Sequence, residues 1–310
     1  MFRDVARNKR ITAYIFVLVF SLFALTLFYT FFLIFGVFEL RIWHWIIAAI
    51  ICLAVAGAGS FCAFWYSHKI MLRVHRAKPA TFEQHKKLHN IMKGICIASG
   101  IWPELYVMDE PALNAFATGR NHENSVICVT TGLIEALDYY QLEGVIAHEM
   151  AHIKNYDMLL QTVAVVMLGA TVMLSDFALT FKLLGGSAVA GSLASAASSA
   201  KGRVTAPVKM MLLFVGLIFL LLTPIFCQLL KMALGRNREF LADATSVEFT
   251  RNPEGLASAL EVMDHSLTPM WFSSKACDGL YTVTPNIFAT KYWCTHPPIE
   301  ERTQRLRSIK

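Results

Sequence analysis

Four stretches of this chain, residues 11–38, 42–67, 158–175 and 210–230, contain no Asp, Glu, Lys or Arg. At about 1.5 Å of rise per residue, each is long enough to cross a hydrocarbon core of roughly 30 Å as a helix. No other feature constrains the fold as tightly, because a segment in lipid must pair its own backbone polar groups. Charge is scarce overall, at 16% of residues against 55% hydrophobic, where a soluble domain carries about 25% charged residues. The charged residues gather in two segments, about 68–157 and 231–310, which together are long enough to bury one small core. The expected fold class is an α-helical membrane protein with about four transmembrane helices and a mixed α+β domain contributed by both segments.

Charge also sets the expected topology. Arg3, Arg7, Lys9 and Arg10 precede the first span, and Lys69, Arg73, Arg76, Lys78, Lys86 and Lys87 follow the second. The positive-inside rule then puts the N-terminus and residue 68 onward on the cytoplasmic side, with 1–67 a transmembrane hairpin. The first apolar run is too long for the h-region of a cleaved signal and leads through "ELRIW" into the next span, so an uncleaved anchor is expected. Residues 158–230 read as a second helix pair joined by the small-residue tract "GGSAVAGSLASAASSA" at 185–200. Lys182, Lys201, Arg203 and Lys209 in that connector leave a re-entrant or partly buried pair as the alternative. Either arrangement returns residues 157 and 231 to the same side, so both termini and both soluble segments, 68–157 and 231–310, are expected in the cytoplasm.

The seven cysteines show no disulfide pattern: Cys52, Cys62 and Cys227 lie in apolar spans, and Cys96, Cys128, Cys277 and Cys294 have no CxxC spacing. That usage fits a reducing compartment. The net charge of +6 comes from basic residues beside the spans, with no interleaved aromatics, which argues against nucleic acid as a partner.

Within the soluble segments, "LYVMD" (105–109) and "SVICVTT" (125–131) predict strands, with turn chemistry between them. Asp138 followed by Gln141 resembles a capping box opening a helix that runs to about Asn155. Asn252 before Pro253 predicts another helix start, and the stretch from Thr295 to Pro298 a third.

The predicted helix 138–155 carries "HEMAH". Positions i and i+4 share one helix face, so His148 and His152 can direct both imidazoles at one ion. Glu149 then stands to the side of that ion, within reach of a water but not as a ligand. A bare motif of this kind arises by chance in roughly one or two such chains per hundred, so a third ligand has to support it. Glu239 and Asp243, again four apart in "NREFLADA", are the candidates: Glu239 completes a His2Glu set, and Asp243 can accept from a ligand imidazole. Alone, this segment reads better as an exposed helical face on which Arg236 and Arg238 pair with nearby carboxylates. The upstream motif, on the same side of the membrane, favours the ligand reading. Asp157 reads as a cap or ion-pair partner, and His68, His75, His85, His89, His122 and His265 as solvated or structural.

"NAFATG", "HEMAHIKNYD", "NREFLADA" and "THPPIEER", in that order and with these apolar flanks, resemble the HtpX family of bacterial membrane-bound zinc metalloproteases. Those enzymes are gluzincins related to the eukaryotic CAAX prenyl protease. The resemblance covers almost the whole chain and implies a gluzincin-type protease domain holding one zinc ion per chain. It implies His148, His152 and Glu239 as ligands, Glu149 as the base, and an active site facing the cytoplasm from the inner (plasma) membrane. It further implies a role in removing damaged proteins, with membrane-bound or unfolded chains as substrates. Asn114, Ala115, Phe116 and Ala117 correspond to the family's substrate-binding edge strand, which pairs with an extended peptide. His296 and Arg302 match its C-terminal His-Pro…Arg motif, one to stabilise an oxyanion and the other to brace the site.

Two rivals remain at this level. An intramembrane protease would carry the motif inside a span, whereas Glu143, Lys154 and Asp157 flank it here. A zinc-storing or zinc-sensing membrane protein without catalysis would need a closed site, for which Cys294 or His296 could supply a fourth ligand. Oligomeric state, physiological substrates and cleavage preference are not encoded in any motif.

Overall fold

The computed structural model describes residues 42–158, 238–266 and 297–309, together with 20–28 and scattered single positions. The spans expected at 11–38, 158–175 and 210–230 lie mostly outside the described residues, and His296 lies wholly outside them. The chain divides into two compact units, one of residues 63–165 and 230–310, the other of residues 2–62 and 166–229.

In the second unit, residues 20–28 are helical and α1 (Ile42–Val74) begins. Ala48, Cys52 and Ala56, spaced four apart, form a buried stripe of small side chains on α1, and Phe23 lies against Gly59. On the same helix Ile46, Ile47, Ile50, Ile51, Leu53 and Val55 are exposed. Small residues at the helix contact and large apolar ones outside are what lipid favours, since water would reject the outer face. Among the described residues, Ile46–Tyr66 is the one stretch long and apolar enough to cross a membrane, with a mean hydropathy of 2.4.

Among the described residues, the first unit is built on a four-stranded sheet of β1 (Lys78–Pro79), β2 (Glu104–Met108), β3 (Ala115–Gly119) and β4 (Ser125–Thr130), in the order β1-β2-β4-β3. The two strands predicted from sequence are β2 and β4, and they pair in parallel from Glu104 opposite Val126 to Met108 opposite Thr130. β3 runs antiparallel to β4, Ala115 opposite Val129, and is the outermost strand on that side among the described residues. Val126, Ile127, Cys128 and Val129 are all buried, as expected of an inner strand covered on both faces. Burial pushes the Cys128 thiol far above its ordinary range and keeps it chemically quiet.

Helices close the core over this sheet. α2 (Lys86–Ser99) turns Leu88, Ile91, Met92 and Ile95 inward and stops at Gly100, whose φ of 76° lets its N–H reach the Cys96 carbonyl. After the short α3 (Thr131–Ala136) comes α4 (Tyr139–Lys154), opened by the predicted capping box. Gln141 N donates to Asp138 Oδ1 at 2.8 Å, and Asp138 N donates to Gln141 Oε1 at 3.1 Å. From Gly144 to Ile153 every residue of α4 is buried, so this helix runs through the core and its polar residues must find partners inside it.

A helix over 238–250 (α5) follows in the described sequence, then α6 (Pro253–His265) and α7 (Ile299–Ser308). The predicted start of α6 is present: Gly255 N donates to Asn252 Oδ1 at 3.2 Å, with Pro253 at the first turn. α4 and α6 pack closely at Gly144, where an added Cβ would lie 2.6 Å from the Leu256 backbone nitrogen. On the far side of α6, Arg307 of α7 bridges Glu254 and Glu261. This stack of α4, α6 and α7 carries the HExxH face and Arg302 toward one buried point.

Candidate metal centre

His148 and His152 leave α4 one turn apart, and Glu239 enters from the first turn of the described part of α5. The three side chains are buried, and one ligand atom from each lies within 4.8 Å of the others. His148 Nε2 is 3.2 Å from His152 Nε2 and 3.5 Å from Glu239 Oε2, while His152 Nε2 is 3.6 Å from Glu239 Oε1. Tetrahedral zinc with bonds of about 2.0–2.1 Å needs donor atoms about 3.3–3.4 Å apart. The two imidazole nitrogens lie near that spacing, and one Glu239 oxygen stands 3.5 Å from His148 Nε2 while the other stands 3.6 Å from His152 Nε2, so His148, His152 and Glu239 could hold such an ion after a small turn of the carboxylate.

Buried charge makes the same demand. Glu149, Asp157, Glu239 and Asp243 are buried carboxylates, and Arg238 and Arg302 are the buried guanidiniums around them. With neutral imidazoles the centre carries a formal excess of two negative charges, which a divalent cation would balance.

Behind His148 stands a tightly bonded support. Its Nδ1 lies 3.0 Å from Asp243 Oδ1, and Asp243 sits one turn along α5 from Glu239. Arg302 donates to both oxygens of Asp243, Nε to Oδ2 at 2.9 Å and Nη2 to Oδ1 at 2.7 Å, and its Nη1 is 3.3 Å from Glu239 Oε2. The fork geometry of a guanidinium is what allows one side chain to hold two carboxylates at once. Burial would raise the Asp243 pKa, but the Arg302 charge beside it holds the carboxyl below its usual range. Burial would also lower the pKa of His148; the carboxylates of Asp243 and Glu239 overcome this and, with no ion bound, lift it to about 9. Arg302 remains charged, its pKa raised further by the same two carboxylates in spite of burial. Its Nη2 also comes within 3.4 Å of His148 Nε2.

His152 faces a different carboxylate. α4 ends at Lys154, Tyr156 adopts a left-handed φ of 59°, and Asp157 returns toward the helix. Asp157 Oδ1 accepts from Arg238 Nη1 at 2.8 Å, and its Oδ2 lies 3.7 Å from His152 Nδ1. The sequence marked Asp157 as a cap or ion-pair partner, and Arg238 entered only in the alternative reading of its segment as an exposed helical face. Both are buried, and 81 residues separate them along the chain. No local spacing could have exposed that pairing.

The predicted substrate segment is buried structure. Ala115, Phe116 and Ala117 lie on the border strand β3, with Asn114 just before it, and all four are buried. Asn114 N donates to Thr130 Oγ1 at 3.1 Å, and the Phe116 ring packs on His75, 5.1 Å between centroids. His75 is itself buried and structural, its Nδ1 2.8 Å from the Met71 carbonyl oxygen. α4 packs directly against β3, so the strand borders the motif helix.

Comparison with known proteins bears on what this centre belongs to. The family described as Peptidase family M48 matches residues 83–310, a span that contains the whole cluster. A protein named Protease HtpX homolog from Thermoanaerobacter pseudethanolicus is 38% identical, covering 98% of this chain and 96% of its own. Proteins of the same name from Dictyoglomus turgidum and Listeria monocytogenes are 39% and 33% identical over 99% and 100% of this chain, and 94% and 100% of theirs. A crystal structure of S. mikatae Ste24p aligns with a TM-score of 0.46 and 17% identity, over 98% of this chain and 66% of that one. At that score the structural likeness is too loose to bear on the site.

Proposed function

Because this chain belongs to peptidase family M48 and is a metalloprotease, we propose that it is a zinc-dependent endopeptidase of the inner membrane that cuts membrane-bound or unfolded proteins on the cytoplasmic side. The observation that carries the reading is the buried cluster of His148, His152 and Glu239, with one ligand atom of each within 4.8 Å of the others. His148, His152 and Glu239 would hold the ion, which when bound would supply Lewis-acid polarisation of the scissile carbonyl and lower the pKa of a water.

The remaining chemistry falls to the chain itself. Glu149, on the same turn as His148, takes a proton from the attacking water and returns it to the leaving amine nitrogen. Its burial keeps that exchange away from bulk solvent. Arg302 spends its fork on Asp243 and Glu239, which supports it as the brace, and the oxyanion role goes to His296 on the family resemblance. An extended substrate is placed beside β3, from Asn114 to Ala117, because that strand borders the motif helix and a border strand can pair with a peptide through main-chain hydrogen bonds. The membrane assignment is supported by the apolar helix Ile46–Tyr66, whose large side chains face outward, and by the basic residues at its C-terminal end.

Detergent-purified protein should cleave an unfolded casein-type substrate, lose that activity to a chelator, and recover it with added zinc. Tight binding of one zinc without any cleavage would transfer the site to storage or sensing and refute the proposal.

A further inference from the structure

His148 has an orienting carboxylate that the sequence already suggested, whereas His152 has none assigned. We propose that Asp157, clamped by Arg238, is the positioning carboxylate of His152: with metal bound, His152 Nδ1–H donates to Asp157 Oδ2. The inference rests on the metal-centre reading above and adds a residue pair to it.

Three observations converge on these residues. First, His152 Nδ1 and Asp157 Oδ2 are both buried and without a hydrogen-bond partner, and they face each other at 3.7 Å. A buried polar atom without a partner is costly, so two of them facing across a gap slightly too wide for a bond mark an interaction that closes in another state. A small rotation of the imidazole as Nε2 takes up a ligand bond would close it. Second, the backbone is bent to bring Asp157 there. Tyr156 is a tyrosine in the left-handed region, φ 59°, where such residues are rare, and its ring stacks on His122 at 4.2 Å between centroids. An ordinary continuation of α4 would have carried residue 157 onward, past His152.

Third, the other oxygen of Asp157 is already committed. Arg238 Nη1 donates to Oδ1 at 2.8 Å, which leaves Oδ2 turned to the imidazole. Arg238 immediately precedes Glu239, so one ion pair fixes both the carboxylate behind the second histidine and the helix carrying the third ligand. The centre then has two matching supports, Arg302–Asp243 behind His148 and Arg238–Asp157 behind His152. An acceptor on the distal imidazole nitrogen fixes the ring and its tautomer and raises its basicity toward the metal.

The test reads metal affinity and the histidine proton, not turnover. Asp157→Ala alone would take from the buried Arg238 the carboxylate it bonds at 2.8 Å, so the principal variant is the double Asp157→Leu/Arg238→Met, which removes both charges together. Zinc affinity is measured by competition with a chelator, beside the unfolding temperature of the chelated protein. The expected result is a folded protein whose zinc Kd is about 10–100-fold weaker than that of the wild type. A double variant binding zinc within twofold of the wild type would reduce the pair to a structural bolt and overturn the inference. Independently of folding in any variant, zinc-loaded wild type carrying 15N-histidine should show His152 protonated on Nδ1, with that proton in slow exchange. A proton on Nε2, or rapid exchange at Nδ1, would overturn it equally. Failure of the metal-centre reading would look different, since wild-type protein would then bind no zinc in the same titration.

Discussion

Replacing Arg302 with Met removes a guanidinium that is 1% exposed and donates two bonds, of 2.9 and 2.7 Å, to Asp243. Met keeps much of the length and volume, so little of the effect is cavity formation. What changes is that Asp243 stays buried with His148 as its remaining cation, and Glu239 loses a positive neighbour at 3.3 Å. Breaking a buried pair from one side costs about 3–5 kcal/mol, against about 0–1 kcal/mol for a surface pair. For a domain of 150–250 residues, at about 2–4 °C per kcal/mol, this is a fall of about 6–20 °C in Tm. Thermal unfolding in detergent, with chelator present so that metal binding does not add to the difference, measures it. Asp243→Leu and the double variant complete a cycle in which the double should cost less than the sum of the singles, by on the order of 0.5–3 kcal/mol. A cost below about 1 kcal/mol for Arg302→Met, or strict additivity in the cycle, would refute the assignment of Arg302 as a buried brace.

Glu149→Gln should lower the cleavage rate by about 10²–10⁴-fold while bound zinc stays near one per chain; loss of zinc along with activity would show that Glu149 holds the metal instead of moving a proton. The His148 proton predicts a pH dependence. With no ion bound its pKa is raised from the ordinary 6.5 to about 9, so the stabilising imidazolium is fully present below pH 6.5 and is lost as pH rises through about 9. Zinc must displace that proton, so its apparent affinity should rise about tenfold per unit between pH 7 and 9 and level off above, and calorimetry in buffers of different ionisation enthalpy should count about one proton released. A pH-independent affinity over that interval would contradict the His148 assignment. Gly144→Ala puts a Cβ 2.6 Å from the Leu256 backbone nitrogen and should cost about 1–3 kcal/mol in unfolding experiments by forcing α4 from α6; an unchanged Tm would mean the two helices are not in fixed contact.

Much of this centre can be read along the chain because helices convert spacing into direction. The i, i+4 intervals of His148 and His152, and of Glu239 and Asp243, place each pair on one face whatever surrounds it. The capping box at Asp138 and the Asn252–Pro253 start are equally local, since their partners lie three residues away. Long apolar runs are local too, and Ile46–Tyr66 forms a helix with an exposed apolar surface. Asp157 and Arg302 were recognisable as residues of interest, but not what each one holds.

By itself the sequence determined which side chains could meet at short range: two imidazoles and a glutamate on one helix, a glutamate and an aspartate on another. Tertiary structure alone decided the strand order β1-β2-β4-β3, in which two strands from one segment pair in parallel with a third outside them. It also decided the two clamps, Arg302 on Asp243 across 59 residues and Arg238 on Asp157 across 81. Interactions of that separation depend on how packed helices cross, here through the close approach at Gly144, and no periodicity records them. The left-handed turn at Tyr156 belongs with them, because the residue type disfavours it and its surroundings hold it in place. Helical spacing brings the ligands to one face, and long-range buried charge holds that face in register.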